Sequence, residues 1–205
     1  MILLISIGIL SGLFFSSTFI LNRLMSLEGG HWVWSASLRY AYMILFLTAL
    51  IAMFQGGRAT ERLWRVFVRH WTFWVISGSI GFGGFYSLIC FSADHAPGWV
   101  VATTWQLTIL ASLVVLMCFG RSFPKRIWFF SSIVFLGVLM VNLSQTDITR
   151  VKALLLGGFP VLLAAFCYPI GNQLVWEAKK GNRYLPDITD PLVENPFNKV
   201  LLLSL

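Results

Sequence analysis

The sequence predicts an all-α polytopic membrane protein with six transmembrane helices and the beginning of a seventh. Of its 205 residues, 58% are hydrophobic and only 11% are charged, with a mean hydropathy of +0.80. The apolar residues gather into long continuous segments that lack the period-two alternation of a transmembrane β-strand. A water-soluble domain has no core large enough for this much apolar surface.

Six segments are long and apolar enough to cross a bilayer, which needs about 20 such residues. Because hydrocarbon offers no hydrogen-bond partners, each segment must satisfy its own backbone, and we expect α-helices. The first segment lacks a basic flank and a small-residue cleavage site, so we expect a retained span and not a signal peptide. The segments are Met1 to Leu21, Trp32 to Phe54, Trp71 to Phe91, Trp99 to Phe119, Ile127 to Leu143 and Ala153 to Trp176.

The distribution of Lys and Arg predicts the orientation, because short loops rich in these residues stay on the cytoplasmic side. Most of them lie in three loops, at residues 58–69, 121–126 and 179–183. We therefore place the N terminus in the cytoplasm and the chain in the inner (plasma) membrane. The net charge of +7 follows from this topology. It indicates contact with the lipid bilayer and not with nucleic acid.

An internal repeat has an offset of 150 residues. Asn22 aligns with Asn172 near the ends of the first and sixth segments, and several apolar residues align as well. The sixth helix then restarts a five-helix unit, and an odd unit inverts when it repeats. Residues 1–150 are predicted to form the first repeat and residues 151–205 the start of the second. Many secondary transporters use such 5+5 inverted repeats to build a substrate site at the membrane midplane.

The tail of the chain follows a polar stretch with several turn formers, from Gly181 to Pro196, which predicts a loop. The apolar run from Lys199 to Leu205 is too short to cross a bilayer. It lies at the interface, or it is the stub of a seventh helix. The repeat offset favours the second alternative, because two five-helix units need on the order of 300 residues.

Several short motifs carry a family resemblance, and they occur in the expected order on the predicted helices. The chain resembles the multidrug-resistance efflux branch of the drug/metabolite transporter superfamily over nearly its whole length. The resemblance implies a ten-helix 5+5 protein, of which this chain supplies six helices and a stub. The motifs are Ser17 to Arg23, Trp34 to Tyr40, Gly98 to Val100, Thr104 to Gln106 and Tyr168 to Gln173.

Arg39 is the most conspicuous residue within the predicted spans, about two turns into the second segment. An Arg at the bilayer centre costs about 2.5–3.5 kcal/mol on insertion scales, so it needs water, a partner or an anion. One hypothesis is that Arg39, next to Tyr40, faces a central cavity and binds an anionic substrate group or a carboxylate. The alternative is that Arg39 extends to the lipid headgroups.

Trp105 and Gln106 lie together in the fourth segment. An aromatic face beside an amide suits amphipathic or cationic organic compounds, through stacking and cation–π attraction. The alternative is that Gln106 hydrogen-bonds to a neighbouring helix. Tyr168 and Asn172, in the motif on the sixth segment, complete the predicted substrate-binding set.

Four residues are predicted to act in gating. Asn22 ends the first helix, where its amide can seal a gate or simply cap the helix. Pro160, Pro169 and Gly171 interrupt the sixth segment. Because a proline removes a backbone hydrogen bond, these positions offer hinges for alternating access, although kinks without gating fit equally.

Two groups of small residues predict close helix packing. Gly8 and Gly12 form a GxxxG pattern on the first segment, and Ser77 and Gly81 belong to a small-residue surface on the third. Small residues allow two backbones to approach closely in a membrane. We therefore expect another helix against each group.

Several chemistries lack support in the sequence. The six predicted segments contain no Asp or Glu, so nothing supports proton coupling by an embedded carboxylate. Cys90, Cys118 and Cys167 lie far apart without metal-ligand spacing. No Walker or common hydrolase motif is present. We predict no enzyme activity, no metal and no cofactor.

Three functions remain. We favour a secondary transporter that exports a small organic metabolite or drug-like compound across the cytoplasmic membrane by alternating access. The alternative is a non-transport membrane subunit or an inactive transporter fragment, with a homo-oligomer as one form of a six-helix product. A membrane enzyme for lipid-linked substrates ranks last, because His31, His70 and His95 do not fall into one cluster.

Overall fold

A computed structural model describes residues 2–144 and 154–205, and these residues contain helices and turns but no β-strand. Met1 and Ala153, which begin two of the predicted segments, and the predicted repeat boundary at residue 150 lie outside this part of the chain. Six helical stretches are long and apolar enough to cross a membrane, which confirms the all-helical prediction. Spans 1 to 6 are Leu3–Leu27, Trp32–Gln55, Trp71–His95, Gly98–Cys118, Lys125–Leu143 and Leu155–Lys179.

Three of the spans are not uniform α-helices. Span 3 contains a π-helical segment and span 6 begins with one, while span 4 is broken in the middle. The α-helices are α1 (Ile2–Leu27), α2 (Trp32–Gln55), α3 (Gly57–Arg69), α4 (Trp71–Gly78), α5 (Phe85–His95), α6 (Gly98–Trp105), α7 (Thr108–Cys118), α8 (Lys125–Leu143), α9 (Phe159–Lys179) and α10 (Pro196–Ser204). The first π segment is Ser79–Gly84, the second is Leu154–Gly158, and a 3₁₀ turn spans Pro191–Glu194.

Spans 3 and 6 form the centre of the bundle. Helix α9 packs against α5, α7 and the first π segment. At the crossing, a Cβ placed on Gly81 would lie 2.7 Å from the Gly171 Cα. Ser77, one turn before Gly81, is fully buried. The small-residue packing predicted for the third segment is therefore present, because only glycine lets these two backbones come so close.

The packing predicted for Gly8 and Gly12 is not present among the described residues. A Cβ at either position would meet nothing within 4 Å. Most of α1 is exposed, including Leu10 and Leu13 on either side of Gly12. The expectation is therefore wrong for the described chain, because a GxxxG pattern permits close approach and does not supply a partner.

Helix α3 lies where the sequence analysis placed only a charged loop. Leu63 is 1% exposed, and Val66 and Phe67 pack into the same apolar cluster. The spacing of these three residues is that of one helix face. The opposite face carries Arg58, Arg65 and other charges, so the segment is an amphipathic helix.

Ion pairs hold the segment that follows span 6 against this end of the bundle. The Arg62 Nε lies 2.9 Å from an Asp190 carboxylate oxygen, and the Lys179 Nζ lies 2.8 Å from a Glu194 oxygen. A guanidinium nitrogen of Arg121 lies 3.9 Å from a carboxylate oxygen of Glu177. We call this end of the bundle, which carries Arg62, Arg121 and Lys179, the basic end.

The tail forms α10 and packs within the bundle. The Asn195 side chain caps α10 by accepting a hydrogen bond from the Phe197 backbone N–H at 2.9 Å. Helix α10 lies against α2 and α4. Asn198 is fully buried and exchanges two hydrogen bonds of 3.0 Å with the Gln55 amide. The apolar tail is thus an ordered helix that begins at the basic end.

Candidate functional site

The first part of the site surrounds Tyr86 of α5, which is 3% exposed. The Arg39 guanidinium donates a hydrogen bond to the Tyr86 hydroxyl and lies 4.0 Å from the centroid of its ring. Asn22 lies beside the same hydroxyl, and its amide nitrogen is buried without a hydrogen bond of normal geometry. The prediction that Asn22 ends the first helix is wrong, because α1 continues to Leu27. The phenol therefore joins polar side chains of spans 1, 2 and 3. Arg39 is directed to a partner on span 3, although the residue remains exposed overall.

Tyr40, the neighbour of Arg39, contacts the first π segment. Its hydroxyl donates a hydrogen bond to the Phe82 backbone carbonyl, and its ring lies edge-on to Tyr86 at 6.0 Å. Tyr40 and Phe82 line a cavity of about 310 Å³ that also touches Trp74. A π segment widens the helix locally and is frequent at functional sites. Here it presents a carbonyl group to Tyr40.

An aromatic cluster continues from Tyr86 toward the middle of the bundle. The Phe85 ring lies 4.7 Å from Trp105, 5.4 Å from Tyr168 and 5.6 Å from Tyr86, measured between centroids. Trp105 and Tyr168 are 6.0 Å apart in an edge-to-face arrangement. These separations are in the range of favourable aromatic pairs. The structure thus brings two predicted site residues together around Phe85.

Gln106 lies apart from the aromatic cluster, at the break in span 4. The Gln106 and Leu107 backbone N–H groups bond to carbonyls three residues back, at 3.1 and 3.0 Å, instead of four. The Thr108 hydroxyl donates to the Trp105 carbonyl at 2.6 Å, satisfying a group beside the break. Hydroxyl groups that bond back to the helix backbone commonly bend it. The Gln106 side chain itself is exposed.

The second part of the site is a cavity of about 320 Å³ near the basic end, which we call the basic-end cavity. Its walls come from α7, α9 and α10. The Asn172 amide nitrogen donates to the Tyr168 carbonyl at 3.0 Å, and the Lys199 Nζ lies 3.5 Å from the Asn172 Oδ1. The residues that line it are Ser112, Leu116, Tyr168, Pro169, Asn172, Gln173, Val175, Trp176, Lys179 and Lys199.

The predicted hinge residues fall at three different kinds of position on span 6. Pro160 is the second residue of α9, just after the end of the second π segment. Pro169 is buried inside α9, and Gly171 forms the close crossing with Gly81. The proline inside the helix is next to the tightest contact between spans 3 and 6.

Comparison with known proteins decides the family. The sequence model of the family described as "EmrE: Putative multidrug resistance efflux transporter" matches residues 2–205. The chain belongs to this family. The resemblance seen in the motifs is thereby confirmed, and the chain is a multi-pass membrane protein of a transporter family.

Two curated relatives are similar to this chain. It is 36% identical over 190 residues to "Uncharacterized protein YjlA" of Bacillus subtilis (strain 168), an alignment covering 86% of the chain and 58% of the relative. It is 37% identical over 185 residues to "Uncharacterized 42.1 kDa protein in intracellular alkaline protease 3'region" of Shouchella clausii, covering 85% and 48%. The chain thus spans about half the length of the curated relatives it matches. No solved structure matches it.

Three residues of the site in this efflux-family chain were not found from the sequence. Phe85 and Tyr86 connect Arg39 to Trp105 and Tyr168, and Lys199 places a positive charge in the basic-end cavity. A tyrosine in the middle of an apolar segment was a usable signal, because a buried hydroxyl needs a partner. A lysine at the start of the last apolar run was another.

The candidate site of this transporter-family chain is built from aromatic, amide and cationic side chains. Among them, no group of three His, Cys, Asp or Glu residues could hold a metal ion. Cys90, Cys118 and Cys167 are free thiols. The site combines aromatic faces, amides and two cationic side chains, which is a chemistry for holding an organic molecule.

Proposed function

We propose that this chain acts as a secondary transporter that exports a small organic molecule across the cytoplasmic membrane by alternating access. Membership of an efflux-transporter family and six membrane-spanning helices support this proposal. The substrate needs a route between the two ends of the bundle, and the arrangement of site residues offers one.

The observation that carries the proposal is a row of neighbouring residues that connects the Tyr86 region with the basic end. Adjacent members are linked by side-chain hydrogen bonds or ring contacts, except that the Asn172 amide bonds to the Tyr168 backbone carbonyl, and Trp105 flanks the middle. Aromatic faces along the row can hold an apolar body while polar groups at its two ends hold charged or polar substituents. This central row consists of Arg39, Tyr86, Phe85, Tyr168, Asn172 and Lys199.

We further propose the 5+5 arrangement, with residues 1–150 as the first repeat, residues 151–205 as the start of the second, and α10 as the start of a seventh helix. Two observations support it. Asn22 and Asn172 align at the 150-residue offset. Asn22 lies beside Tyr86 near one end of the central row, and Asn172 belongs to the row near its other end. The curated relatives are about twice as long as the part that matches this chain.

The same proposal assigns the motion to spans 4 and 6. Discontinuous helices at a midplane site are a common basis of alternating access. Span 4 breaks at Gln106, beside Trp105, and span 6 carries Pro160 and Pro169 on either side of its buried middle. Rocking of span 6 about its crossing at Gly171 would open or close the central row.

We propose that the basic end faces the cytoplasm, with the N terminus on the same side, because positively charged loops are retained there. A thiol-reactive, membrane-impermeant probe tests this with Arg126→Cys, at the basic end in the first turn of α8. The variant is made in a background with Cys90, Cys118 and Cys167 replaced by Ser, because Cys118 is an exposed thiol at the same end. The introduced thiol should react only after the cells are broken. Labelling in intact cells would instead indicate that the basic end faces the outside of the cell.

Transport is tested by expressing the wild-type chain and the Arg39→Ala variant in a bacterial host that lacks its main exporters. Untargeted mass spectrometry then compares the compounds in the medium with those in the cells. We expect the wild type to move a small set of compounds into the medium and Arg39→Ala to abolish this change. Arg65→Ala is the matched control, since its side chain is 70% exposed and forms an ion pair with Glu61 on the same helix.

The outcomes separate the candidate functions. Identical profiles for the wild type and the empty vector would favour a non-transport membrane subunit or an inactive transporter fragment. Unchanged export by Arg39→Ala at equal membrane abundance would remove Arg39 from the substrate route. Arg39→Lys distinguishes charge from geometry, because Lys keeps the charge but loses the planar fork that stacks on Tyr86.

A further inference from the structure

We propose that the basic-end cavity is a subsite for the anionic group of an organic substrate, held by Lys199 and Asn172. The inference deepens the proposed transport function and relies on it for the role of the ligand. Binding itself can be measured without transport. The chemistry recognised is a carboxylate or phosphate oxygen attached to a flat apolar body.

The first observation is that Lys199 has a polar neighbour but no counter-charge among the described residues. The residue is half-buried, and its Nζ lies 3.5 Å from the Asn172 Oδ1. Within the described parts of the chain, the carboxylates that form ion pairs do so with other cations. A partly desolvated ammonium without an anion is costly. A bound carboxylate or phosphate would supply the missing charge.

The second observation is that the nearby carboxylates are already engaged. Glu177 accepts hydrogen bonds from Gln173 at 2.9 Å and Asn182 at 3.2 Å, and Arg121 lies 3.9 Å away. Glu194 lies 2.8 Å from Lys179. These contacts fix the two acids in place. Lys199 therefore remains available to an anion that enters from outside the chain.

The third observation is the shape of the cavity. Tyr168 and Trp176 supply aromatic walls, and Pro169 and Val175 supply apolar surface. Its volume of about 320 Å³ suits a small organic molecule. An inorganic ion would leave these apolar walls unused, so the cavity fits an anion that carries an aromatic or apolar body.

The other end of the central row has a matching arrangement. Arg39 contacts Tyr86 there, and Asn22 lies beside the same hydroxyl. Asn22, which aligns with Asn172 at the 150-residue offset, lies beside the partner of Arg39, and Asn172 lies beside Lys199. A cationic compound would meet like charge at both ends of the row, and this repulsion selects against it. The row as a whole thus favours anions.

Two sources can present the same chemistry to Lys199: a water-soluble organic anion and an anionic lipid headgroup. The test therefore uses the purified chain in a zwitterionic lipid nanodisc. Calorimetric titration compares benzoate and phenyl phosphate with benzyl alcohol and benzylammonium, which share the ring but not the negative charge. A parallel set of nanodiscs contains phosphatidylglycerol.

We expect the two organic anions to bind and the neutral and cationic analogues not to bind. Loss of a charge-assisted hydrogen bond in Lys199→Gln should weaken anion binding roughly tenfold or more. Lys125→Gln is the matched control, because Lys125 is exposed at the basic end and does not line the cavity. It should bind as the wild type does.

A second pair of variants keeps the test decisive if Lys199→Gln is unstable. Lys199→Arg should retain anion binding. Asn172→Asp places a carboxylate beside Lys199 and should block it. Equal affinity for benzoate and benzyl alcohol, or no binding of either organic anion, would overturn the proposal. So would binding of phosphatidylglycerol alone, which would assign the cavity to lipid.

These outcomes are independent of the transport assay. Anion binding without export would leave the subsite intact and remove the proposed function. Export of neutral or cationic compounds, with no anion binding, would leave the transporter intact and remove the subsite.

Discussion

Spans 3 and 6 are less apolar than spans 1, 2 and 5 but more buried, whereas in a water-soluble protein the more apolar helices are the more buried ones. The central pair is the less apolar, yet 44% of the membrane-length window of each span is buried. In spans 1, 2 and 5 the buried share is 11%, 6% and 6%. Lipid is as apolar as a protein core, so hydrophobicity alone does not decide which helix lies inside.

Close packing and directed polar contacts distinguish the central pair. The backbones cross at Gly81 and Gly171, and the Ser92 hydroxyl donates a hydrogen bond to the Gly157 carbonyl. These contacts replace the hydrophobic driving force that helices lack in a membrane. The same two spans carry Phe85, Tyr86 and Tyr168, so the stable centre and the candidate site coincide.

The largest effect is expected from breaking the glycine crossing. A Cβ at Gly171 would lie 2.8 Å from both the Gly81 nitrogen and the Ser77 carbonyl oxygen, so Gly171→Val must separate two backbones. We expect a cost at or above the upper end of the ~1–3 kcal/mol typical of overpacking. The apparent melting temperature in detergent and the monodisperse yield should both fall sharply.

The matched control for this crossing is Gly12→Val on span 1. A Cβ at Gly12 meets nothing within 4 Å, so this variant should melt within a few degrees of the wild type. A large loss at Gly12 together with tolerance at Gly171 would reverse the contrast between the central and the peripheral spans.

A smaller effect is expected from opening the aromatic cluster. Phe85 is 6% exposed and touches Trp105, Tyr168 and Tyr86, so Phe85→Ala leaves a void in the central row. Such truncations cost about 3–5 kcal/mol in water-soluble cores. We expect roughly half of that cost here. An apolar ring gains no hydrophobic free energy when it moves from lipid into the bundle, so Phe85→Ala loses only the packing contribution.

The comparison for Phe85→Ala is Phe129→Ala on span 5, where the ring is 64% exposed. That variant should leave the melting temperature nearly unchanged, while both variants retain their helical circular dichroism. Equal losses at the two positions would show that packing around Phe85 contributes nothing special to the centre.

The smallest effect concerns the link between peripheral span 2 and α10. Gln55→Leu leaves the buried Asn198 amide short of its partner, and we expect a cost of about 1 kcal/mol. The double variant Gln55→Leu with Asn198→Leu should melt at a higher temperature than either single variant, because no side-chain amide is then left unpaired. The Leu192 carbonyl loses the Asn198 amide but keeps the Asn195 N–H at 3.3 Å. Additive losses would instead indicate two independent contacts.

These contrasts show how far the site was predictable. Arg39 and Trp105 were predicted because a charge or a large aromatic group stands out within an apolar segment. Tyr86, the partner of Arg39, was not predicted, and Tyr168 was predicted from its motif but not as the neighbour of Trp105, because these contacts join spans that are distant in the sequence. Gln106 and Trp105 are adjacent in the chain, yet only Trp105 lies in the cluster, because neighbouring residues of a helix point to different faces.

The sequence by itself determined the all-helical class and the six spans, because bilayer thickness and the need to satisfy backbone hydrogen bonds leave few alternatives. Its motifs also indicated the family. Only the tertiary structure decided which helices are central, that α3 lies across the basic end, and that Lys199 meets Asn172. In a membrane all apolar faces are nearly equivalent, so small-residue crossings and polar pairs between distant segments choose the partners.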